Sequence, residues 1–307
     1  MNINTSPNPL VEIMQKFSAS DAVPAAKPNM PSDAQAKVHE QLHYSSTSRF
    51  QQPEFSALRE GSVTMQRGDK GAMVAAVQDA FLSMGFWTGG TTDRKENGVY
   101  GSPDGAFGGK MQTAIKNFQD NRGLPQTGVM DKSTFAELER LAPAKGETIW
   151  SPSYAVNDKS FVPDNILPNG DRAKVVVDLS ENRLFLFDKN NDVKQVFSVA
   201  VGRINQATGK PVTTTGYKKV DSKIGNPAWL GEQLYQKGDV FGPKLVGLGE
   251  YNPEKNHVKN APYEIHGTSN ENSIGEDASS GCIRMLNDAV EDLYPEMQKG
   301  DMVYFKD

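Results

Sequence analysis

Residues 174–187 have the sequence KVVVDLSENRLFLF, in which two short apolar runs flank a polar segment. The runs at 175–179 and 184–187 are rich in valine, leucine and phenylalanine, and valine and phenylalanine are enriched in strands. The polar residues 180–183 between them are typical of a turn. This stretch therefore predicts a strand, a turn and a second strand.

The same pattern of short apolar runs separated by turns continues to the end of the chain. Further strand-like runs lie at 196–201 and 302–305, and glycine or proline recurs between them. Residues 287–298 are the one clear helical stretch in this part. Short strands with regular turns predict a mostly β domain over residues 173–307.

The preceding residues 61–142 predict a small domain of three helices. Apolar residues recur there at helical spacing in three groups: Val74, Val77 and Phe81; Ala114, Ile115 and Phe118; Phe135, Leu138 and Leu141. The third helix is expected to open with a capping box at Thr134–Glu137. The polar, glycine-rich residues 88–101 are expected to form a surface loop. The fold class predicted for the whole chain is α+β multidomain.

Two further segments lack sustained apolar periodicity. Residues 1–60 are rich in serine, proline, alanine, asparagine and glutamine, which predicts a flexible polar arm with one helix at 32–44. Residues 143–172 carry four prolines and few apolar pairs, which indicates a linker that packs irregularly or spaces the domains.

The composition excludes several classes of protein. The formal net charge of −5 argues against a nucleic-acid binder, and no apolar run of 18 residues is present to span a membrane. The first residues lack the basic and apolar regions of a secretory signal, so we expect either a signal that is missing from this sequence or export by a non-Sec route. The chain has a single cysteine, which excludes an internal disulfide.

That cysteine, Cys282, follows His266 by 16 residues. A thiol at its ordinary pKa is only a few per cent thiolate at neutral pH, and a nearby imidazole can take its proton. Gly267 and Gly281 permit tight turns that can aim backbone N–H groups at an oxyanion, and Arg284 suits a substrate carboxylate. A buried cysteine, a surface histidine and a solvated arginine are the alternative, and these residues alone do not separate the two interpretations.

The segments YEIHGT at 263–268 and SSGCIRM at 279–285, with their spacing, resemble the signature of the L,D-transpeptidase (YkuD) family. The resemblance covers about residues 173–307. It implies a peptidoglycan acyltransferase in which Cys282 attacks the bond before the terminal D-Ala of a tetrapeptide stem and His266 is the base. It also implies that the carbonyl of Gly267 orients the imidazole. We expect substrate contacts from Ser280, Gly281 and Arg284, and the resemblance implies no cofactor and no metal.

The resemblance leaves the acyl acceptor open. An amine would give 3→3 cross-linking, D-amino-acid exchange or attachment to a protein lysine, and water would give L,D-carboxypeptidase trimming. The cell wall concerned is also open, because the protein fits both a housekeeping periplasmic enzyme and an exported antibacterial effector with an immunity protein as partner. A non-catalytic peptidoglycan-binding protein is the alternative from another class.

Two other patterns concern binding. The segments RGDKG, DGAFG, AIKNFQ and GL, at 67–71, 104–108, 114–119 and 123–124, are similar to the peptidoglycan-binding domain type 1, which implies peptidoglycan as a partner. Residues 39–43, HEQLH, match the H-E-x-x-H pattern of zinc proteases. No third ligand or surrounding core accompanies that pattern, so we interpret it as a chance match in the polar arm.

Overall fold

The computed structural model describes residues 49–156, 158–167 and 169–307, and only the backbone of residues 260–262. The predicted helix at 32–44 and the H-E-x-x-H pattern lie outside these residues. Within them, a helical part is followed by an irregular segment and a β-sheet part, which confirms the predicted α+β architecture. In the described part of the chain, no helix is long and apolar enough to cross a membrane.

The helical part contains four helices: α1 (Glu54–Glu60), α2 (Ala72–Ser83), α3 (Gly109–Asn121) and α4 (Lys132–Leu141). The three predicted helices correspond to α2, α3 and α4, whose apolar faces form one buried core. The capping prediction at Thr134 is wrong. The helix begins two residues earlier, because the carboxylate of Asp131 accepts a hydrogen bond of 2.8 Å from the backbone N–H of Thr134.

Residues 49–60 do not belong to a flexible polar arm, so the predicted arm at 1–60 extends too far. The rings of Phe50 and Phe55 are fully buried and lie 5.2 and 5.4 Å from the ring of Phe135 in α4. Three aromatic side chains that pack in this way hold α1 against α4. The sequence contained no periodic signal for this contact, because it depends on isolated aromatic residues.

Residues 88–101 also differ from the prediction of a surface loop. They contain strand β1 (Thr91–Arg94) and the start of strand β2 (Tyr100–Ser102), which pair as an antiparallel hairpin. Tyr100 is buried, and its hydroxyl donates a hydrogen bond of 2.5 Å to Asp292 in the β-sheet part, to which Arg94 also forms an ion pair. The hairpin therefore joins the two parts of the protein.

The β-sheet part is built on one sheet of eight strands, in the order β13-β11-β10-β9-β14-β3-β4-β5. These strands are β3 (Val175–Asp178), β4 (Arg183–Phe187), β5 (Val193–Ser198), β9 (Gly216–Ile224), β10 (Leu245–Asn252), β11 (His257–His266), β13 (Ile283–Arg284) and β14 (Met302–Lys306). The hairpin predicted at 174–187 is confirmed, since β3 and β4 pair antiparallel with Val175 opposite Leu186. The strand predicted at 196–201 is interrupted, because β5 ends at Ser198.

Shorter elements lie between these strands along the chain. They are β6 (Val201–Gly202), β7 (Ile204–Asn205), β8 (Lys210–Pro211), helix α5 (Ala228–Tyr235), a 3-10 turn (Glu271–Ser273), β12 (Asp277–Ser279), helix α6 (Asn287–Leu293) and a second 3-10 turn (Tyr294–Glu296). The helix predicted at 287–298 is therefore shorter than expected. Helix α5 was not predicted, because it buries little and exposes Trp229, Leu234 and Tyr235.

The segment at 143–172 packs irregularly and does not space the two parts. Ile149, Phe161 and Leu167 are buried in it. They belong to one hydrophobic core that also contains Phe118 of α3 and Phe185 of β4. The helical and β-sheet parts therefore share a core.

The guanidinium of Arg183, at the start of β4, lies at the centre of this shared core. It donates hydrogen bonds to the carbonyl of Met84 at 3.1 Å and to that of Phe161 at 2.7 Å, and it forms an ion pair with Glu181. Its carbon Cζ is also 4.4 Å from the ring centre of Phe86. A side chain with no exposed surface thus contacts the helical part, the irregular segment and the sheet.

Candidate active site

Strands β11 and β13 lie side by side at the edge of the sheet and run parallel, with His266 opposite Arg284. Alternate residues of a strand point to the same face. Glu264 and His266 therefore share a face of β11. The strand register places His266 opposite Arg284. Cys282 directly precedes β13, and its thiol contacts Glu264.

The imidazole of His266 is 3% exposed and is fixed by its neighbours. Its Nδ1 atom lies 2.5 Å from the carbonyl oxygen of Gly267, and its ring meets the ring of Phe241 edge-on at 5.0 Å. A carbonyl only accepts hydrogen bonds, so Nδ1 carries the proton and Nε2 has a free lone pair. Burial, with a smaller contribution from the charge of Arg284, lowers the pKa of His266 to about 4. The ring is therefore neutral at pH 7.

The thiol of Cys282 is half-buried and donates a hydrogen bond of 2.7 Å to the carboxylate of Glu264. The pKa of the thiol is raised to about 12. Burial is the largest cause, and the adjacent negative charge of Glu264 is a smaller one. The resting state therefore has a neutral thiol and a neutral imidazole. Glu264 was not predicted from the sequence, although its position two residues before His266 in a strand was a signal for a shared face.

Side-chain hydroxyls hold the backbone around the cysteine. Ser279 Oγ accepts from the N–H of Gly281 at 3.0 Å and donates to the carbonyl of Cys282 at 2.6 Å. Thr213 Oγ1 donates to the carbonyl of Gly281 and accepts from the N–H of Gly202, both at 2.8 Å. Gly281 has φ of +136°, which favours glycine. Thr213 could not be predicted from the sequence, because it is 69 residues from Cys282 along the chain.

Gly267 follows the imidazole in a place where no other residue fits. A Cβ atom there would lie 2.4 Å from Oδ1 of Asn287 and 2.9 Å from the side chain of Pro243. The same Oδ1 accepts a hydrogen bond of 2.9 Å from the N–H of Thr268. Helix α6 thus holds the turn that carries the Gly267 carbonyl against His266.

Ser280 and Arg284 lie where a substrate can reach them. Ser280 is exposed and borders a cavity of about 580 Å³ formed with Arg203, the hairpin β7–β8 and Val212. Arg284 is half-buried, and its guanidinium forms no ion pair with any residue that the structure describes. A guanidinium that is not held in an ion pair can bind a carboxylate.

The helical part also reaches the loop that leads to the cysteine. Lys110 of α3 forms an ion pair of 2.6 Å with Glu276 and donates a hydrogen bond to the carbonyl of Ile274. Gly275 between them lies against Trp87. Over the described ranges, no group of three or more histidine, cysteine, aspartate or glutamate side chains could hold a metal ion.

Comparisons with known proteins agree with a helical domain followed by a β-sheet domain. Residues 172–305 match the model of the L,D-transpeptidase catalytic domain, and residues 70–138 match that of a putative peptidoglycan binding domain. The putative L,D-transpeptidase YqjB of Bacillus subtilis is 31% identical over 135 residues, which are 43% of this chain and 70% of that protein. The chain belongs to the L,D-transpeptidase family.

Other relatives are matched over a smaller share of their length. The probable L,D-transpeptidases YcfS and ErfK/SrfK of Escherichia coli are 27% and 29% identical, over 45% and 46% of both this chain and their own. The chain thus spans less than half the length of these two relatives. A crystal structure of an L,D-transpeptidase from Xylanimonas cellulosilytica is 22% identical, covers 79% of this chain and 97% of its own, and has a TM-score of 0.41.

Proposed function

We propose that this protein is a cysteine-dependent peptidoglycan acyltransferase that forms a thioester on tetrapeptide stems through Cys282. The observation that carries the proposal is the state of His266. Its Nδ1 proton is held by the carbonyl of Gly267, so its Nε2 lone pair can accept a proton on the strand face that also bears Cys282. A neutral, buried and oriented imidazole is what a general base requires.

The reaction begins with a proton transfer from the thiol of Cys282 to His266. The sulfur then attacks the carbonyl before the terminal D-Ala, and backbone N–H groups around the cysteine stabilise the oxyanion. His266 returns the proton to the nitrogen of the departing D-Ala, which leaves the stem as a thioester. Because the thiol and the imidazole are both neutral at rest, the proton transfer is coupled to attack on the bound substrate.

The groups around the cysteine suit a peptide stem with free carboxylates. Arg284 forms the positive end of the site and binds a carboxylate of the donor. Ser280 and the backbone of Gly281 contact the stem beside the cavity next to the β7–β8 hairpin. The helical domain, which matches a putative peptidoglycan binding domain, holds the glycan near the site.

An amine or water resolves the thioester. The products are then a 3→3 cross-link, a stem with an exchanged D-amino acid, a stem attached to a protein lysine, or a trimmed tripeptide. The site of action is the periplasm or cell envelope, where peptidoglycan is found.

Two settings are compatible with this chemistry: maintenance of the cell's own wall and damage to the wall of a rival. A protein directed to the periplasm of a test strain should harm the host in the second setting, and an immunity protein should relieve the harm. If neither the exported nor the cytoplasmic protein affects growth, the toxin setting is excluded.

A non-catalytic peptidoglycan-binding protein is the alternative. The hydrogen bond of 2.7 Å from the Cys282 thiol to Glu264 favours it, because burial and this carboxylate raise the pKa of the thiol to about 12. Incubation with tetrapeptide muropeptides, followed by mass spectrometry, separates the two functions. We expect products that lack the terminal D-Ala from the wild type and none from Cys282→Ala. Identical profiles from both proteins would leave only binding.

A further inference from the structure

Glu264 is an unexpected neighbour for a nucleophile. Its carboxylate accepts a 2.7 Å hydrogen bond from the Cys282 thiol, and a negative charge in this place opposes formation of a thiolate. Among the residues that the structure describes, no lysine, arginine or histidine forms an ion pair with it. Glu264 is half-buried, and the side-chain hydrogen bond described for it goes to the reacting sulfur. This carboxylate therefore has no evident structural role.

The situation of this carboxylate changes when the enzyme is acylated. A thioester sulfur carries no hydrogen, so the S–H donor that Glu264 uses at rest is lost. A half-buried carboxylate without a donor is costly, and a charged donor compensates it best. The next reactant to arrive at the thioester carbon, one bond from the sulfur, is the acyl acceptor, and an amine acceptor is an ammonium ion at neutral pH.

We propose that Glu264 is a specificity-determining residue that binds the ammonium group of the acyl acceptor at the thioester, and so favours transfer to amines over transfer to water. The proposal rests on the proposed function, because it concerns the second half of that reaction. Arg284 supplies the opposite charge on the same strand pair. The two charges fit an amine with a neighbouring carboxylate, which is found in a free D-amino acid and at the D-centre of diaminopimelate.

The transfer step balances in protons and electrons. The bound ammonium gives one proton to Glu264, and the nitrogen lone pair forms a bond to the thioester carbon. The nitrogen then gives a second proton to His266, the C–S bond breaks with its electron pair on sulfur, and His266 returns that proton to the sulfur. Glu264 releases its own proton to water. The products are an amide, one proton and the Cys282 thiol, which can again donate to Glu264.

The test is the partition of the acyl-enzyme between amine and water in the full chain. The wild type and Glu264→Gln are acylated with a tetrapeptide muropeptide, and the thioester is measured by intact-protein mass. The acyl-enzyme is then offered D-alanine, a second muropeptide with a free diaminopimelate amine, or hydroxylamine, which is uncharged at pH 7.5. Glu291→Gln is the matched control, because Glu291 is exposed on α6 and lies outside the site.

We expect E264Q to form the thioester and to lose about 10- to 100-fold in the amine-to-water ratio, the factor of one hydrogen bond to a charged group. The loss should affect the ammonium acceptors and should not affect hydroxylamine. The acceptor with the larger loss, D-alanine or the second muropeptide, is then the source of the ammonium group that Glu264 binds. E291Q should match the wild type. An unchanged ratio in E264Q overturns the proposal, and so does a folded E264Q that cannot form the thioester, because Glu264 would then act in the first half-reaction.

If E264Q does not fold, Glu264→Asp carries the test. It keeps the charge but withdraws it from the sulfur by one methylene, and we expect a reduced ratio for D-alanine with an unchanged ratio for hydroxylamine. Equal ratios in E264D and the wild type overturn the proposal. A wild type that never forms a thioester is a different result, since it refutes the proposed function itself.

Discussion

Replacement of Arg183 by methionine removes the cation at the junction of the two domains and leaves Glu181 buried. Arg183 makes two hydrogen bonds to carbonyls and an ion pair without any exposed surface. Loss of one partner of a buried ion pair costs about 3–5 kcal/mol of unfolding free energy. We expect a loss of this size for R183M at pH 8.

The loss should depend on pH with a definite sign. Burial raises the pKa of Glu181 from 4.5 to about 7, and the charge of Arg183 opposes this rise. The stability that this group contributes is therefore present below pH 4.5 and is lost as pH rises through 7. Without Arg183 the pKa of Glu181 rises further, so the decline continues to pH 8. At about 1.4 kcal/mol per pH unit, R183M should lose about 1 kcal/mol more at pH 8 than at pH 5.

Urea unfolding followed by tryptophan fluorescence at both pH values measures this loss. Lys159→Met is the control, because Lys159 is 69% exposed and its ion pair with Asp164 should contribute at most about 1 kcal/mol. An R183M protein that loses less than about 1 kcal/mol at pH 8, or that is destabilised more at pH 5, would refute the role of this buried pair.

Two further predictions concern the site. Because the pKa of His266 is lowered to about 4, kcat/KM for thioester formation should not fall with decreasing pH until well below pH 6. A fall centred near pH 6.5 would indicate an ordinary, exposed histidine. Thr213→Val removes the hydroxyl that bonds Gly202 and Gly281, which should destabilise the fold by about 1–3 kcal/mol and slow thioester formation. Thr215→Val, at an exposed position, is the control for urea unfolding and acylation rate, and equal effects of both variants would contradict this role.

The elements that the sequence predicted are those with dense local patterns. The hairpin at 174–187 has two apolar runs and a polar turn, and the helical domain has apolar residues at regular spacing, so both could be found from neighbours along the chain. Helix α5 was missed because its side chains are largely exposed and leave no apolar stripe. The packing of residues 49–60 was missed because two phenylalanines, rather than a period, determine it.

The candidate site was predicted only where its residues lie in short motifs. Cys282, His266 and Arg284 could be named from the sequence, but the parallel pairing of β11 with β13 that aligns them is a long-range contact with no local signal. The hydroxyl of Thr213 depends on the same kind of contact. Glu264 could have been found from strand alternation, whereas the sign of its effect on the thiol pKa requires the 2.7 Å contact.

Intact-protein mass spectrometry shows whether Cys282 carries the acyl group. The wild type is mixed with a tetrapeptide muropeptide and quenched in acid within seconds to minutes. Its intact mass is then measured together with those of Cys282→Ser and His266→Gln treated in the same way. For the wild type we predict an adduct on Cys282 with the mass of the stem less D-Ala. C282S should carry no adduct that hydroxylamine can remove, and H266Q should form the adduct slowly. A wild type without the adduct that still releases D-Ala, or a C282S protein that releases D-Ala at the wild-type rate, would show that Cys282 does not carry the acyl group.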